Sequence, residues 1–230
     1  MIHYHGTPIT PKTKLLEMRG RHFCVSFADP RDIEDCLKIG QSVMLDNGAF
    51  TAFTKGKPMD QEGFIAWCEE YLAPPHWAVV PDVIGGSEEE QRQKVKDWHF
   101  PDYLSAPVWH LHLSIDYLLE LVDLYPKVCF GSSQEFWQIG TTKWEQRMDQ
   151  AFDVLSRRQF MPWVHGMRML GQSGNRWPLA SADSSNIARH HAELRLSPDV
   201  MADRIDAIQP ERKFKKSPQL NLLGDGDEFR

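Results

Sequence analysis

Residues 42–50, Ser42-Val43-Met44-Leu45-Asp46-Asn47-Gly48-Ala49-Phe50, hold the pattern from which the rest of the chain is read. Val43, Met44 and Leu45 form an apolar run too short for a helix and suited to a buried strand. The run ends on an acid, Asp46, followed by Asn47 and Gly48, residue types that tolerate the backbone angles of a tight turn. The motif recurs twice. Val79-Val80-Pro81-Asp82 leads into Gly85-Gly86, and Leu179-Ala180-Ser181-Ala182-Asp183 leads into Ser184-Ser185-Asn186. Each acid taken singly is explained as well by a turn or a helix cap. Three of them, each at the end of a buried-looking strand, point to one shared site.

Working outward, eight strand-like runs are found at 3–5, 23–27, 43–46, 77–82, 107–112, 127–131, 164–169 and 179–183. Helical patterns separate most of them, at 31–39, 60–72, 87–98, 114–124, 142–160 and 198–208. The third opens Ser87-Glu88-Glu89-Glu90, a capping box at the positive end of a helix, and the last has Pro198 at its first position. Strands alternating with helices imply parallel βαβ units. Eight such units predict a compact (β/α)8 TIM-like barrel over residues 1–208, with an open doubly wound sheet as the alternative. Residues 209–230 read as an extended or poorly ordered tail with a basic cluster at 212–216.

Of the 230 residues 41% are hydrophobic and 25% charged, enough apolar side chains for a large core. There is no membrane-length apolar run and no signal-peptide pattern at the start, so the expected location is cytoplasmic. A net charge of −6 argues against a uniformly basic nucleic-acid binder but leaves room for a local basic groove. Cys24, Cys36, Cys68 and Cys129 form no CxxC pair, so no cysteine zinc site is expected, and no GxGxxG or Walker loop is present.

In a parallel barrel the C-terminal strand ends build the site. The candidates there are His5, Asp46, Asp82, His110 or His112, Gly131-Ser132-Ser133, His165 or Arg168, and Asp183. His110 and His112 fall on one face of a strand, an arrangement compatible with metal ligation, although no third ligand is evident. His165, Met167 and Met169 share a face opposite Arg168. Neighbouring carboxylates in a poorly solvated cleft have their pKa values driven apart, which lets one act as nucleophile and another as acid.

Leu45-Asp46-Asn47-Gly48-Ala49-Phe50 resembles the TDSGGFQ motif of the tRNA-guanine transglycosylases. In style the chain is closest to the DpdA-like DNA 7-deazaguanine transglycosylases of bacteria and phages. The resemblance spans roughly residues 40–190. It implies a (β/α)8 barrel that replaces guanine with a 7-deazaguanine through a covalent enzyme–sugar intermediate. By motif, Asp46 falls on the general acid/base, Phe50 on the ring that stacks on the base, and Asp82 on the acid that reads the guanine edge. Gly131 falls on the backbone loop that accepts the base, Asp183 on the nucleophile, and Arg189 on a phosphate contact. The family's CxCxxC zinc motif is absent, which points to guanine-containing DNA, or a smaller substrate, over tRNA.

The expected function is therefore base exchange in DNA with no cofactor and no metal. Asp46 and Asp183 are catalytic; Asn47, Phe50, Asp82, His110, His112, Gly131, Ser132, His165 and Met167 bind substrate. Arg168, Arg176, Asn186 and Arg189 contact nucleic acid, with Arg195 and the 212–216 cluster as further candidates. The expected partners are DNA and a free 7-deazaguanine base, with a partner protein or a second copy open. The alternatives are a hydrolase on the same barrel, a metal-dependent hydrolase using His110 and His112, and a non-catalytic binder of a modified base. For Asp183 the competing role is to cap the helix that starts near Asn186; for the arginines it is a merely solvated surface.

Overall fold

The computed structural model describes residues 1–211 and 214; the basic cluster, apart from Phe214, and the rest of the tail lie outside the described residues. The strands are β1 (Ile2–Gly6), β2 (His22–Ser26), β3 (Ser42–Asp46), β4 (Trp77–Val79), β5 (Ser105–Ala106), β6 (Val108–His110), β7 (Lys127–Gly131), β8 (Trp163–Gly166) and β9 (Ser181–Ser184). They form one all-parallel sheet in the order β5-β4-β3-β2-β1-β9-β8-β7-β6. Its two ends are consecutive in the chain, separated only by Pro107. The Ala106 carbonyl accepts Val80 N–H at 3.0 Å on one side, and the Pro107 carbonyl accepts Cys129 N–H at 2.8 Å on the other. Proline has no N–H to extend the ladder, so one strand is split in two at that point. Residues 105–110 thus join both neighbours, and the architecture is the expected α/β barrel of eight staves.

Alternation along the strands sorts the side chains. Tyr4, Cys24, Met44, Trp77, Val79, Ala106, Val108 and Cys129 point inward and fill the barrel. Phe23, Val25, Val43, Leu45, Ala78 and Val80 point outward against α2 (Ile33–Ile39), α4 (Gln61–Tyr71) and α9 (Pro198–Asp206). Trp109, Val128, Phe130 and Val164 pack against α6 (Ile115–Leu124) and α7 (Thr142–Leu155). Each large side chain so buried stabilises the fold by roughly 1.5–3 kcal/mol. Phe214 adds to this shell, its ring 6.0 Å from that of Phe152.

The caps are local and legible. Asp60 accepts Gly63 N–H, Ser114 accepts Tyr117 N–H, and Ser87 and Glu90 complete a reciprocal box at α5 (Glu88–Lys96). Several boundaries differ from the sequence expectation. The 77–82 run ends at Val79, which leaves Asp82 in the loop; His112 lies beyond β6; and the 164–169 run stops at Gly166. The 142–160 helix ends at Leu155. Two short helices, α1 (Lys12–Leu16) and α3 (Ala49–Thr54), occupy segments without amphipathic periodicity. Between β8 and β9 there is only a 3-10 turn at Leu170–Gln172, followed after β9 by α8 (Asn186–Leu194).

Candidate functional site

β3, the β4 loop, β6, β7, β8 and β9 deliver polar side chains to the C-terminal mouth of the barrel. Asp46 ends β3 in register with Ser26 at the end of β2. Its carboxyl accepts Gly48 N–H at 3.2 Å, inside a turn that Gly48 makes possible with φ +74°. Burial raises the Asp46 pKa to about 6; the negative charges of Asp183 and Asp82 push it the same way, and a hydrogen bond with Ser26 and the Gly48 N–H oppose it. Burial is thus the larger cause, ahead of the like-charge effect expected from sequence.

Asn47 is buried and ties two loops together. Its Nδ2 donates to Val80 O at 2.9 Å and to Asp82 Oδ1 at 2.8 Å, and its Oδ1 accepts Ala49 N–H. Asp82 Oδ2 lies 2.8 Å from His110 Nε2, both side chains almost wholly buried. His110 Nδ1 meets Ser133 Oγ at 3.2 Å, Ser133 Oγ meets His112 Nδ1 at 3.0 Å, and His112 Nε2 meets the Gly86 carbonyl at 2.9 Å. The carbonyl accepts only, so His112 carries its proton on Nε2. Burial lowers the His112 pKa, against the pull of that carbonyl, which favours the neutral ring, whose Nδ1 accepts a hydrogen bond from the Ser133 hydroxyl. Ser133 Oγ thus links the two rings, and His110 Nε2 holds Asp82 at the far end of this hydrogen-bond chain. All four histidine nitrogens are engaged, so neither ring offers a free lone pair to a metal. No group of three or more metal-ligating side chains occurs among the described residues.

Gly131 brings its backbone close to this network. A Cβ there would stand 2.8 Å from His110 Nδ1 and 3.0 Å from Val108, so the ring position requires glycine. Ser132, in contrast, turns its hydroxyl away from the mouth and accepts Trp144 Nε1–H at 2.9 Å; only its carbonyl faces the site.

Across the mouth, Asp183 Oδ1 receives the Arg168 backbone N–H at 2.8 Å and His165 Nε2 at 3.2 Å. His165 is oriented by Ser181 Oγ on Nδ1 at 2.8 Å, and that hydroxyl also accepts Trp163 Nε1–H. No hydrogen bond within the described residues reaches Asp183 Oδ2. Asp183 does not cap α8: the N-cap is Ser185, and Asn186 N–H is taken by Ser184 Oγ at 3.1 Å. The donors to Asp183 thus come from β8 and its loop, not from residues 184–186.

Arg168 stands in the left-handed region at φ +58°, rare for a non-glycine residue. Its guanidinium donates to Ser132 O at 3.2 Å and lies 4.1 Å from the Phe50 ring centroid and 4.9 Å from that of Trp137. Phe50 and Trp137 are stacked at 5.4 Å. Burial lowers the Arg168 pKa while Asp183 raises it.

The structure therefore gathers Asp46, Asn47, Phe50, Asp82, His110, His112, Gly131, His165, Met167, Arg168 and Asp183 around one opening. Besides Ser132, Arg176 stands apart: it is bound by Asp149 at 3.0 Å through two nitrogens and by Glu145, which corrects its assignment as a free phosphate contact. Asn186 and Arg189 are exposed on α8, the helix that follows β9. His5 is also displaced: it is buried on the outer face of β1, near Asp206 of α9. Ser26 and Trp137 belong to the site without having been singled out. Register against Asp46 would have identified Ser26; nothing in the local pattern marks Trp137. Comparisons with protein-family models, with curated proteins and with solved structures find no match.

Proposed function

We propose that the protein is a base-exchanging glycosyltransferase that replaces guanine in DNA with a 7-deazaguanine. The observation that supports this most directly is the unlike setting of two acids at one mouth. Asp46 is half-buried, with its pKa raised to about 6 by desolvation, as suits a group that must give and retake a proton. Asp183 is clamped through Oδ1, which leaves Oδ2 open to substrate.

In the first half-reaction Asp183 Oδ2 attacks C1′ of the target nucleotide. The C1′–N9 bond breaks, its electron pair leaves with guanine, and Asp46 protonates the departing base. In the second, carboxylate Asp46 takes the N9 proton of the incoming 7-deazaguanine. N9 then attacks C1′ and releases Asp183. The Asn47–Asp82–His110 network and the Gly131 backbone line the space where the base edge is read. A target in a duplex must first be flipped out.

The test is incubation of guanine-containing DNA with radiolabelled guanine or a 7-deazaguanine. Label incorporated into DNA is the expected result. Release of guanine without incorporation identifies a hydrolase on the same barrel, and no reaction with any DNA overturns the proposal.

A further inference from the structure

The ten residues after Gly48, Ala-Phe-Thr-Ala-Phe-Thr-Lys-Gly-Lys-Pro, contain no acid, in a chain whose net charge is −6. They form α3 and its exit at the rim of the mouth, directly after the loop that carries Asp46 and Asn47. Phe53 is 55% exposed and Trp137 47% exposed. Lys55 and Lys57 are exposed and make no ion pair among the described residues. The Arg168 guanidinium also makes no salt bridge there; it lies over the Phe50 and Trp137 rings and is held by one carbonyl. Elsewhere in the molecule Arg21, Arg92 and Arg176 are each bound by two acids. Large aromatic faces left in water beside cations held in no salt bridge among the described residues suit a strand whose bases stack and whose phosphates need positive charge. A planar guanidinium on an aromatic face occupies the kind of position a planar base takes.

We propose that this rim seats a single-stranded segment of DNA. The nucleotide adjoining the target stacks on Trp137 and Phe53, Lys55 and Lys57 meet its phosphates, and Arg168 turns from Ser132 O to the phosphate of the target nucleotide. The identity of the strand rests on the exchange reading above; the stacking and charge arguments do not.

The experiment measures binding alone, in an Asp183→Asn background, by fluorescence anisotropy of a labelled single-stranded DNA of about 12 nucleotides containing guanine. Adding Trp137→Ala is expected to weaken binding roughly tenfold, the loss of one stacked base. Adding Lys55→Gln with Lys57→Gln is expected to make the salt dependence shallower by about one to one and a half log units per log unit of salt. Lys12→Gln with Lys38→Gln, on the α1 and α2 flank, serves as the control and leaves both quantities unchanged. Trp137 and Lys55/Lys57 variants that bind like the parent overturn the proposal, even if the wild type exchanges bases. Binding that follows the expected pattern in a protein that exchanges no base supports the rim and removes the exchange reading instead. Tighter binding of the RNA of the same sequence overturns DNA as the occupant.

Discussion

The two ends of the barrel each hold a titratable group that burial drives toward neutrality, yet they are built in opposite ways. At the N-terminal end Lys127 projects between indoles, 4.4 Å from the Trp77 ring and 5.2 Å from that of Trp163, and burial lowers its pKa to about 8. The polar groups around it satisfy one another. Trp77 Nε1–H donates to Tyr4 Oη at 2.8 Å, Tyr4 Oη meets Ser42 Oγ at 3.0 Å, and His22 Nδ1 meets the same hydroxyl at 2.8 Å. At the C-terminal end Asp46 faces other acids, and among the described residues Asp183 Oδ2 has no hydrogen-bond partner and Arg168 no salt bridge. One end spends its polar groups on closing the barrel. The other leaves Asp183 Oδ2 and the Arg168 guanidinium without such partners among the described residues, which supports the proposal of a site at the mouth.

The largest expected effect separates the ends by kind. Asp183→Asn keeps the shape and hydrogen-bonding capacity of the side chain but removes the attacking oxygen. Base exchange should fall by about three orders of magnitude or more, while the urea midpoint stays near that of wild type. Appreciable exchange by this variant would erase the nucleophile assignment. The converse change, Trp77→Ala, removes a buried indole, the donor to Tyr4 and one wall around Lys127. It should cost about 3–5 kcal/mol in chemical denaturation. A Trp77→Ala protein as stable as wild type would show that this end is not the closed plug described.

The smallest effects compare the two titratable groups directly, and their pH signs are opposite. The pKa of Asp46 is raised in the folded state, so its favourable contribution is complete below about pH 4 and lost as pH rises through about 6. Asp46→Asn should therefore stabilise the protein by about 2–3 kcal/mol at pH 8 and by well under about 1 kcal/mol at pH 4. The pKa of Lys127 is lowered, so its contribution is complete above about pH 10.5 and lost as pH falls through about 8. Lys127→Met should stabilise by about 1–2 kcal/mol at pH 7, less than burial alone predicts because the cation loses its contact with the indoles, and the gain should shrink toward pH 10. Denaturation curves across this range check both; two slopes of the same sign would break the comparison.

Much of this arrangement is visible in the chain itself. The 43–46 run, with Asp46 at its end, stands where expected, because a short apolar run before Asn-Gly has few other outcomes. The capping box at Ser87 and the caps at Asp60 and Ser114 are equally local. The misplacements are of another sort. Asp82 reads as a strand end because Val79-Val80-Pro81 is apolar, but strand pairing stops at Val79. His110 and His112 read as a face-sharing pair, but the chain turns after His110, and the two rings meet through Ser133. Arg176 reads as free because the acids that bind it lie on α7, 27 and 31 residues away.

The alternation of apolar strands with capped helices, and the acids that follow three of those strands, are properties of neighbouring residues, and the chain alone determines them. Partnership across the mouth is not local. Closure at Pro107 brings β6 beside β7, so that His110 lies against Gly131 and reaches Ser133. The turn after β8 puts the Arg168 N–H on Asp183, 15 residues away, and its guanidinium over Phe50 and Trp137, each more than thirty residues away along the chain. Burial then sets the Asp46 pKa through everything packed around it. These depend on distances that exist only once the barrel has closed, because hydrogen bonds, ring stacking and desolvation act over a few ångströms of space and not over positions in a sequence.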